Sequence, residues 1–523
     1  MVKIVKSDVL IIGGGMAAST AAVAAAGKGA ETVLVDKGTF TASGSSPVSL
    51  GGLANTINPI DSPDLLYEDL LRAGNNLNEQ NLIWEAAKGA KDMQRFLESI
   101  GVLFLKKPGG GYWFFKGVGH SQPRCLSIDP GTGLSPQAVM GLEAWKRGVR
   151  LHDNITITKI LGEKDGVTGA FGVTRDGKYY LFESNAVVLA AGGANSLYPN
   201  SCQVIQDPKY RTVGDSFKLA FDIGAPLIDV EFPNFREGAS TGITRMGGYL
   251  VNSKGARFMK KYGPSFRERA PRGKIVEAIY NEVLEGNTPI YWQLPDKIPE
   301  MPKARHPGRY DGMDGKKIEV KIDFQSLLGG AKINEKSETP IEGLYSAGEA
   351  AGGFHGSDRL MSIRFLECTI FGNRAGLNAA EYASKTDTEI DVCQVNEEIA
   401  RINEIRSSRE GAEPSKVFEV VRNTMWKHCS IIKEADEMER GLEIINGLRE
   451  KIKGENISAA LDSINIAFAA EIVTRASLYR KETRGMHIRR DYRERDDVNW
   501  LRHVAIENRD GEVAMSTIPI TRI

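Results

Sequence analysis

Cysteine is scarce and scattered: Cys125, Cys202, Cys368, Cys393 and Cys429 are the five in 523 residues, with no C-x-x-C pair. Structural zinc and iron–sulfur centres need several thiolates gathered by short spacings, so the pattern argues against either and predicts reduced, unpaired thiols. His428 beside Cys429 lacks two further nearby ligands and reads as an ordinary helical pair. Net charge is also lacking. Lys plus Arg and Asp plus Glu each number 67, which leaves no global field to draw nucleic acid or an anionic membrane. No apolar run along the sequence approaches the roughly 20 residues that span a bilayer. Met1-Val2-Lys3 passes almost directly into an apolar strand, leaving no room for a signal peptide. The expectation is a cytoplasmic protein with no resident metal, no nucleic-acid partner and no direct membrane insertion.

What is abundant is glycine, 56 residues, and its placement is informative. The apolar run Val9-Leu10-Ile11-Ile12 enters Gly13-Gly14-Gly15-Met16-Ala17-Ala18, a G-x-G-x-x-A turn followed by a helix of small residues. A second strand, Thr32-Val33-Leu34-Val35, then ends on Asp36. This order outlines a dinucleotide site, whereas a glycine triplet alone could be an ordinary strand-to-helix turn. Gly13 permits the tight turn, Gly15 lets backbone N–H groups reach a pyrophosphate, and Ala18 allows helix and strand to pack closely. Asp36 is the expected acceptor for ribose hydroxyls, with Met16, Ala17 and Lys37 beside it.

Two further strand-to-glycine runs decide between NAD and FAD: Ala186 to Ala194, containing Ala191, Gly192 and Gly193, and Gly343 to Gly353, containing Gly348 and Glu349. Both match FAD-binding flavoproteins. With His355-Gly356-Ser357-Asp358-Arg359-Leu360, Phe371-Gly372-Asn373-Arg374-Ala375-Gly376, Ser49-Leu50-Gly51-Gly52, Gly119-His120-Ser121 and Ala270-Pro271-Arg272, the chain resembles the succinate dehydrogenase and fumarate reductase flavoprotein family. L-aspartate oxidase belongs to that family, and the adenylylsulfate reductase alpha subunit is a more distant relative. The motifs run in the family's order over essentially the whole chain.

The resemblance implies an α/β fold: a Rossmann-like FAD-binding domain over 1–228 and 324–385, an inserted α+β capping domain over 229–323, a C-terminal helical bundle over 386–478, and a tail over 479–523. Within the first part, 155–161 and 169–173 read as antiparallel-type strands, and 367–383 as a long buried helix. The arginine-rich stretch 475–497 has two readings. Its interleaved acids suit a solvated face laced with ion pairs, and the family implies packing against the core and an iron–sulfur partner.

By resemblance, Ser45, Ser49, Gly51 and Gly52 lie along the flavin, Glu349 bonds its hydroxyls, and Gly348, Arg359 and Ser362 line the ring's pyrimidine side. Asp215 belongs to a second nucleotide turn. The FAD is expected to be noncovalent, because Ser45 stands where membrane-bound relatives carry the histidine that bonds the flavin. Arg272 matches a family proton donor and Arg359 an arginine that grips a substrate carboxylate, a role its rigid fork suits. Three departures accompany these matches. The family's two substrate-binding histidines fall at Phe232-Pro233-Asn234 and just before Leu327-Leu328-Gly329-Gly330, at Gln325-Ser326, and its relay glutamate falls near Thr241. Arg236, Glu237 and Arg245 are candidate substitutes, and Phe232, Leu327 and Leu328 a candidate wall for a substrate of different shape. The leading expectation is an FAD-dependent oxidoreductase acting on a small anionic substrate, with electrons exchanged through an iron–sulfur, ferredoxin-like subunit. Two alternatives stay open: a flavoenzyme acting on sulfur, like adenylylsulfate reductase, and an FAD electron-transfer subunit with no small substrate of its own.

Overall fold

The computed structural model describes the chain apart from residues 1, 50, 131, 164, 203–210, 239–246, 266, 306–307, 309 and 450–451. Arg245 and Thr241 lie outside the described residues.

Val9–Ile12 and Ala186–Leu189 are continuous apolar runs, buried on both faces, and they pair in parallel at the centre of a seven-stranded sheet. Its order is Arg150–Asp153, Thr32–Asp36, Val2–Ile12, Tyr179–Leu189, Gly166–Thr174, Ile155–Glu163, and Leu344–Ser346 pairs in parallel with the end of Tyr179–Leu189. The last two strands of that order form an antiparallel hairpin, as their alternating pattern predicts. Over the sheet, Met16–Gly27 meets the long helix Ile363–Ala383. Their approach is set by glycine: a Cβ on Gly372 or Gly376 would stand 2.5 or 2.1 Å from the carbonyl oxygens of Ala17 and Ala21.

A second, antiparallel sheet runs Pro233–Gly238, Lys317–Leu327, Ile290–Gln293, Tyr249–Val251. In its first ladder Asn234 faces Ser326 and Phe235 faces Phe324, so Gln325 is an extra, bulged residue. A bulge re-aims the side chain it carries. A third sheet joins the hairpin Arg502–Arg509 and Glu512–Pro519 to the short strands Leu227–Ile228 and Gly330–Ala331, which lie in the chain just before and just after the second sheet. There His503, fully buried, is hydrogen-bonded to Asp229 Oδ2 through Nδ1 at 2.6 Å, and its Nε2 stands at ion-pair distance, 3.1 Å, from Glu79 Oε1.

Helices Val392–Ser407, Pro414–His428, Ala435–Arg449 and Ile457–Tyr479 make the bundle. His428 donates through Nδ1 to Glu437 Oε2 at 2.7 Å. The last helix corrects one expectation. At 23 residues it is long and apolar enough to cross a membrane by length and composition, and 72% of that apolar window is buried inside the fold. The run is broken in sequence by Asp462, Asn465 and Glu471, each of which has a partner: Lys37, Asp215 and Arg475.

The arginine-rich stretch also differs from a solvated face. Arg480, Arg484 and Arg489 are fully buried, while Arg490, Arg493 and Arg495 are exposed. Arg480 pairs with Glu231 at 2.7 Å and Glu482 at 3.0 Å, and Arg484 binds Glu482 and the Asn75 carbonyl. Charges so buried persist only when paired and hydrogen-bonded. The loop backs the 355–360 motif, since the Met486 N–H donates to the Ser357 carbonyl at 2.9 Å.

Candidate flavin and substrate site

A long cleft crosses the C-terminal ends of the central parallel strands, where open α/β sheets bind ligands. At one end is the glycine turn. Gly13 has φ +120°, and a Cβ there would meet the Ala190 carbonyl oxygen at 2.3 Å. Met16 N–H, at the start of its helix, donates to Ser46 Oγ at 3.0 Å. Asp36 accepts from Gly38 N–H at 3.0 Å and from the Ser43 hydroxyl, and burial raises its pKa above the ordinary carboxylate value. Lys37 bridges Asp215 at 2.9 Å and Asp462 at 3.1 Å. Burial alone would lower the ammonium's pKa, but the two carboxylates outweigh it and hold it above the usual lysine value.

Midway, Ser45, Ser49, Gly51, Gly52, Ala191, Gly192, Gly348, Glu349 and Ser362 line the cleft. Asn195 links the two sides, donating through Nδ2 to Ser45 Oγ and, at 3.4 Å, to Glu349 Oε2. Burial raises the Glu349 carboxyl. Ser362 Oγ, on the cleft lining, is buried with no partner, the condition expected of a group shaped for a polar ligand. Ala18 and Gly193 are the two anticipated cofactor residues that do not line the cleft. Ala18 is fully buried between helix and sheet, and Gly193 lies behind Glu349, whose Oε1 a Cβ there would meet at 2.5 Å.

The far end is basic and brings Arg272 and Arg359 together. Arg272 opens the helix Arg272–Leu284, with its Nη1 3.3 Å from Gln325 Oε1. Arg359 donates through Nη2 to the same oxygen and through Nε to Asn234 Oδ1 at 3.2 Å. Burial, reinforced by Arg272 and Arg364 nearby, pulls the Arg359 guanidinium down to about 9. Glu237 Oε2 stands 3.9 Å from Arg272 Nε, both atoms buried and otherwise without hydrogen-bond partners, and Arg236 pairs with Asp323 at 3.6 Å. The proposed apolar wall is not there. Phe232, Leu327 and Leu328 do not line the cleft; Phe232 and Leu328 pack with Leu77, Phe232 lies under Arg480, and Leu327 offers its backbone to Glu349.

Sequence reading missed Asp462, Asn465 and Arg364. The first two sit on an otherwise apolar helix, where spaced polar residues were the available signal.

A Gly-rich turn, an acid at the ribose position, a partnerless hydroxyl midway and an arginine-lined end define a dinucleotide-binding oxidoreductase in which a flavin fits. The FAD binding domain family matches residues 8–364 and the fumarate reductase flavoprotein C-terminal family residues 419–522, so the chain belongs to the fumarate reductase and succinate dehydrogenase type of FAD-dependent oxidoreductase. It is 29% identical to one of the subunits of the CoM/CoB fumarate reductase of Methanothermobacter marburgensis, covering 96% of this chain and 97% of that one. It is 30% identical to an uncharacterized FAD-dependent oxidoreductase of Methanocaldococcus jannaschii, covering 96% and 97%. The fold superposes on the E. coli quinol fumarate reductase flavoprotein with a TM-score of 0.92 at 24% identity, covering 100% of this chain and 98% of that one.

Proposed function

We propose that the chain transfers a hydride between its flavin and a small anionic substrate held by Arg272 and Arg359, and exchanges electrons with an iron–sulfur partner protein. The observation that carries this reading is the convergence of both guanidiniums on Gln325 Oε1 at the basic end of the cleft. A substrate oxygen arriving there meets two cationic forks already oriented, which is positioning with little reorganisation at the moment of reaction. FAD, when bound, supplies hydride chemistry at N5. Noncovalent binding suits a site in which a serine, Ser45, stands where membrane-bound relatives place their flavin-bonding histidine.

We assign Arg272 the proton transfer at the substrate carbon and Glu237 the resupply of its proton, since the carboxylate lies 3.9 Å from Nε. Arginine ordinarily keeps its proton up to about pH 12, so the transfer depends on a carboxylate beside Nε to return the proton, and Glu237 is the one placed there. The sheet over 229–323 then acts as the cover that brings Arg236, Glu237 and Arg272 over the ring. The iron–sulfur partner is proposed because the cysteines are scattered and no second glycine motif suits NAD(P)H.

Two family histidines that grip a dicarboxylate are replaced, one by Phe232 turned into an apolar cluster and one by Gln325, whose oxygen is engaged by arginines. The chain is therefore proposed to be a poor fumarate reductase and to act on an anion of another shape. A viologen-coupled assay tests this. Each missing charge-assisted hydrogen bond to the dicarboxylate costs about 1.5–3 kcal/mol, so fumarate turnover should lie several orders of magnitude below the family's; turnover at ordinary enzyme rates, around ten per second, refutes it.

A further inference from the structure

Arg364 is the second residue of the helix Ile363–Ala383 and lines the cleft alongside Ser326, Glu349 and Arg359. Its two terminal nitrogens are committed to protein: Nη1 donates to Glu367 Oε2 at 3.2 Å, and Nη2 to the Leu327 carbonyl and, at 3.4 Å, to Ser326 Oγ. These bonds hold the guanidinium from behind. The remaining donor, Nε, is buried and has no partner. A donor left in that condition is costly unless a ligand occupies it. The same turn carries the N-terminus of a 21-residue helix, whose free N–H groups add partial positive charge, and Ser362 Oγ beside it is equally unpartnered. The substrate chemistry proposed above does not use this cation.

We propose that Arg364, together with the start of its helix, faces the pyrimidine edge of the flavin at N1 and C2=O and raises the cofactor's two-electron reduction potential. Reduction adds two electrons and one proton, the proton going to N5, and the negative charge that results spreads over N1 and C2=O. A fixed cation beside that edge stabilises the reduced form more than the neutral oxidised form. Glu367 sets how much of the charge the ring feels, because it pairs with Arg364 at 3.2 Å and with His355 Nε2 at 2.9 Å, and it does not itself line the cleft. The two residues therefore have opposite effects on the potential, which a purely structural role would not produce. The inference is independent of the substrate's identity.

The test is spectrophotometric titration of the FAD-loaded protein with dithionite against reference dyes. Arg364→Gln should lower the equilibrium constant for reduction at least tenfold, a midpoint more negative by about 30 mV for a two-electron couple. Arg364→Lys should recover part of that shift. Glu367→Gln should move the midpoint in the positive direction. If Arg364→Gln fails to hold FAD, the lysine and Glu367 variants still decide the matter. A midpoint unchanged in the Arg364 variants, or one that falls in Glu367→Gln, overturns the proposal.

Discussion

Replacing His503 by glutamine probes the junction where the C-terminal hairpin meets the rest of the chain. Burial alone would depress the imidazolium, but Asp229 and Glu79 outweigh it and raise the pKa from 6.5 to about 9. A group raised on folding contributes stability that is fully present below its unfolded pKa, and that contribution disappears as pH climbs through the folded value. At about 1.4 kcal/mol for each tenfold change in proton affinity, the clamp contributes about 3 kcal/mol below pH 6.5 and only about 0.4 kcal/mol at pH 9. Glutamine can keep a hydrogen bond to one carboxylate but carries no proton to titrate. The assay is urea unfolding of both proteins between pH 6.5 and 9.5, reading the first transition. The stability gap between the two should narrow by about 3 kcal/mol across that window. A gap that stays constant with pH refutes the assignment of a charged His503 to the junction.

Arg359→Ala should lower kcat/KM roughly 10- to 150-fold through loss of one charge-assisted hydrogen bond, and Arg272→Ala, which removes the proton donor, about 10²- to 10⁴-fold, each with the bound-flavin absorbance retained; loss of flavin with activity per flavin unchanged would contradict the roles given. Acid precipitation should leave yellow FAD in the supernatant, and colour held in the pellet would show a covalent bond. Gly376→Val pushes a side chain into the Ala21 carbonyl, 2.1 Å from where its Cβ would sit, and should cost about 1–3 kcal/mol, seen as a fall in Tm; an unchanged Tm would mean the two helices are free to separate.

The local sequence determined the nucleotide turn, because its geometry depends on neighbours only a few residues apart: Gly13 must adopt φ +120°, and the apolar strand before it leads directly into the helix. The same holds for the parallel core strands and the 155–174 hairpin, whose hydrophobic patterns suit one arrangement each. Arg272 and Arg359 could be singled out from motifs 87 positions apart. That they meet on one oxygen was a matter for the tertiary structure, since Gln325 is aimed by a bulge that exists only once Lys317–Leu327 pairs with Pro233–Gly238. The facing of a side chain was equally invisible: Phe232, just before the strand Pro233–Gly238, in sequence reads as a substrate wall, and in the fold it turns into an apolar cluster beneath Arg480. Arg480, Arg484 and Arg489 look alike in sequence to Arg490, Arg493 and Arg495. Acidic partners alone do not separate them, since the exposed Arg490 and Arg495 pair with Glu434 and Asp497; Arg480 and Arg484 are set apart because the carboxylates they meet, Glu231 and Glu482, are themselves buried, and Glu231 comes from 249 residues away. Long-range pairing of charge and the facing of side chains are properties of packing, so only the folded chain could decide them.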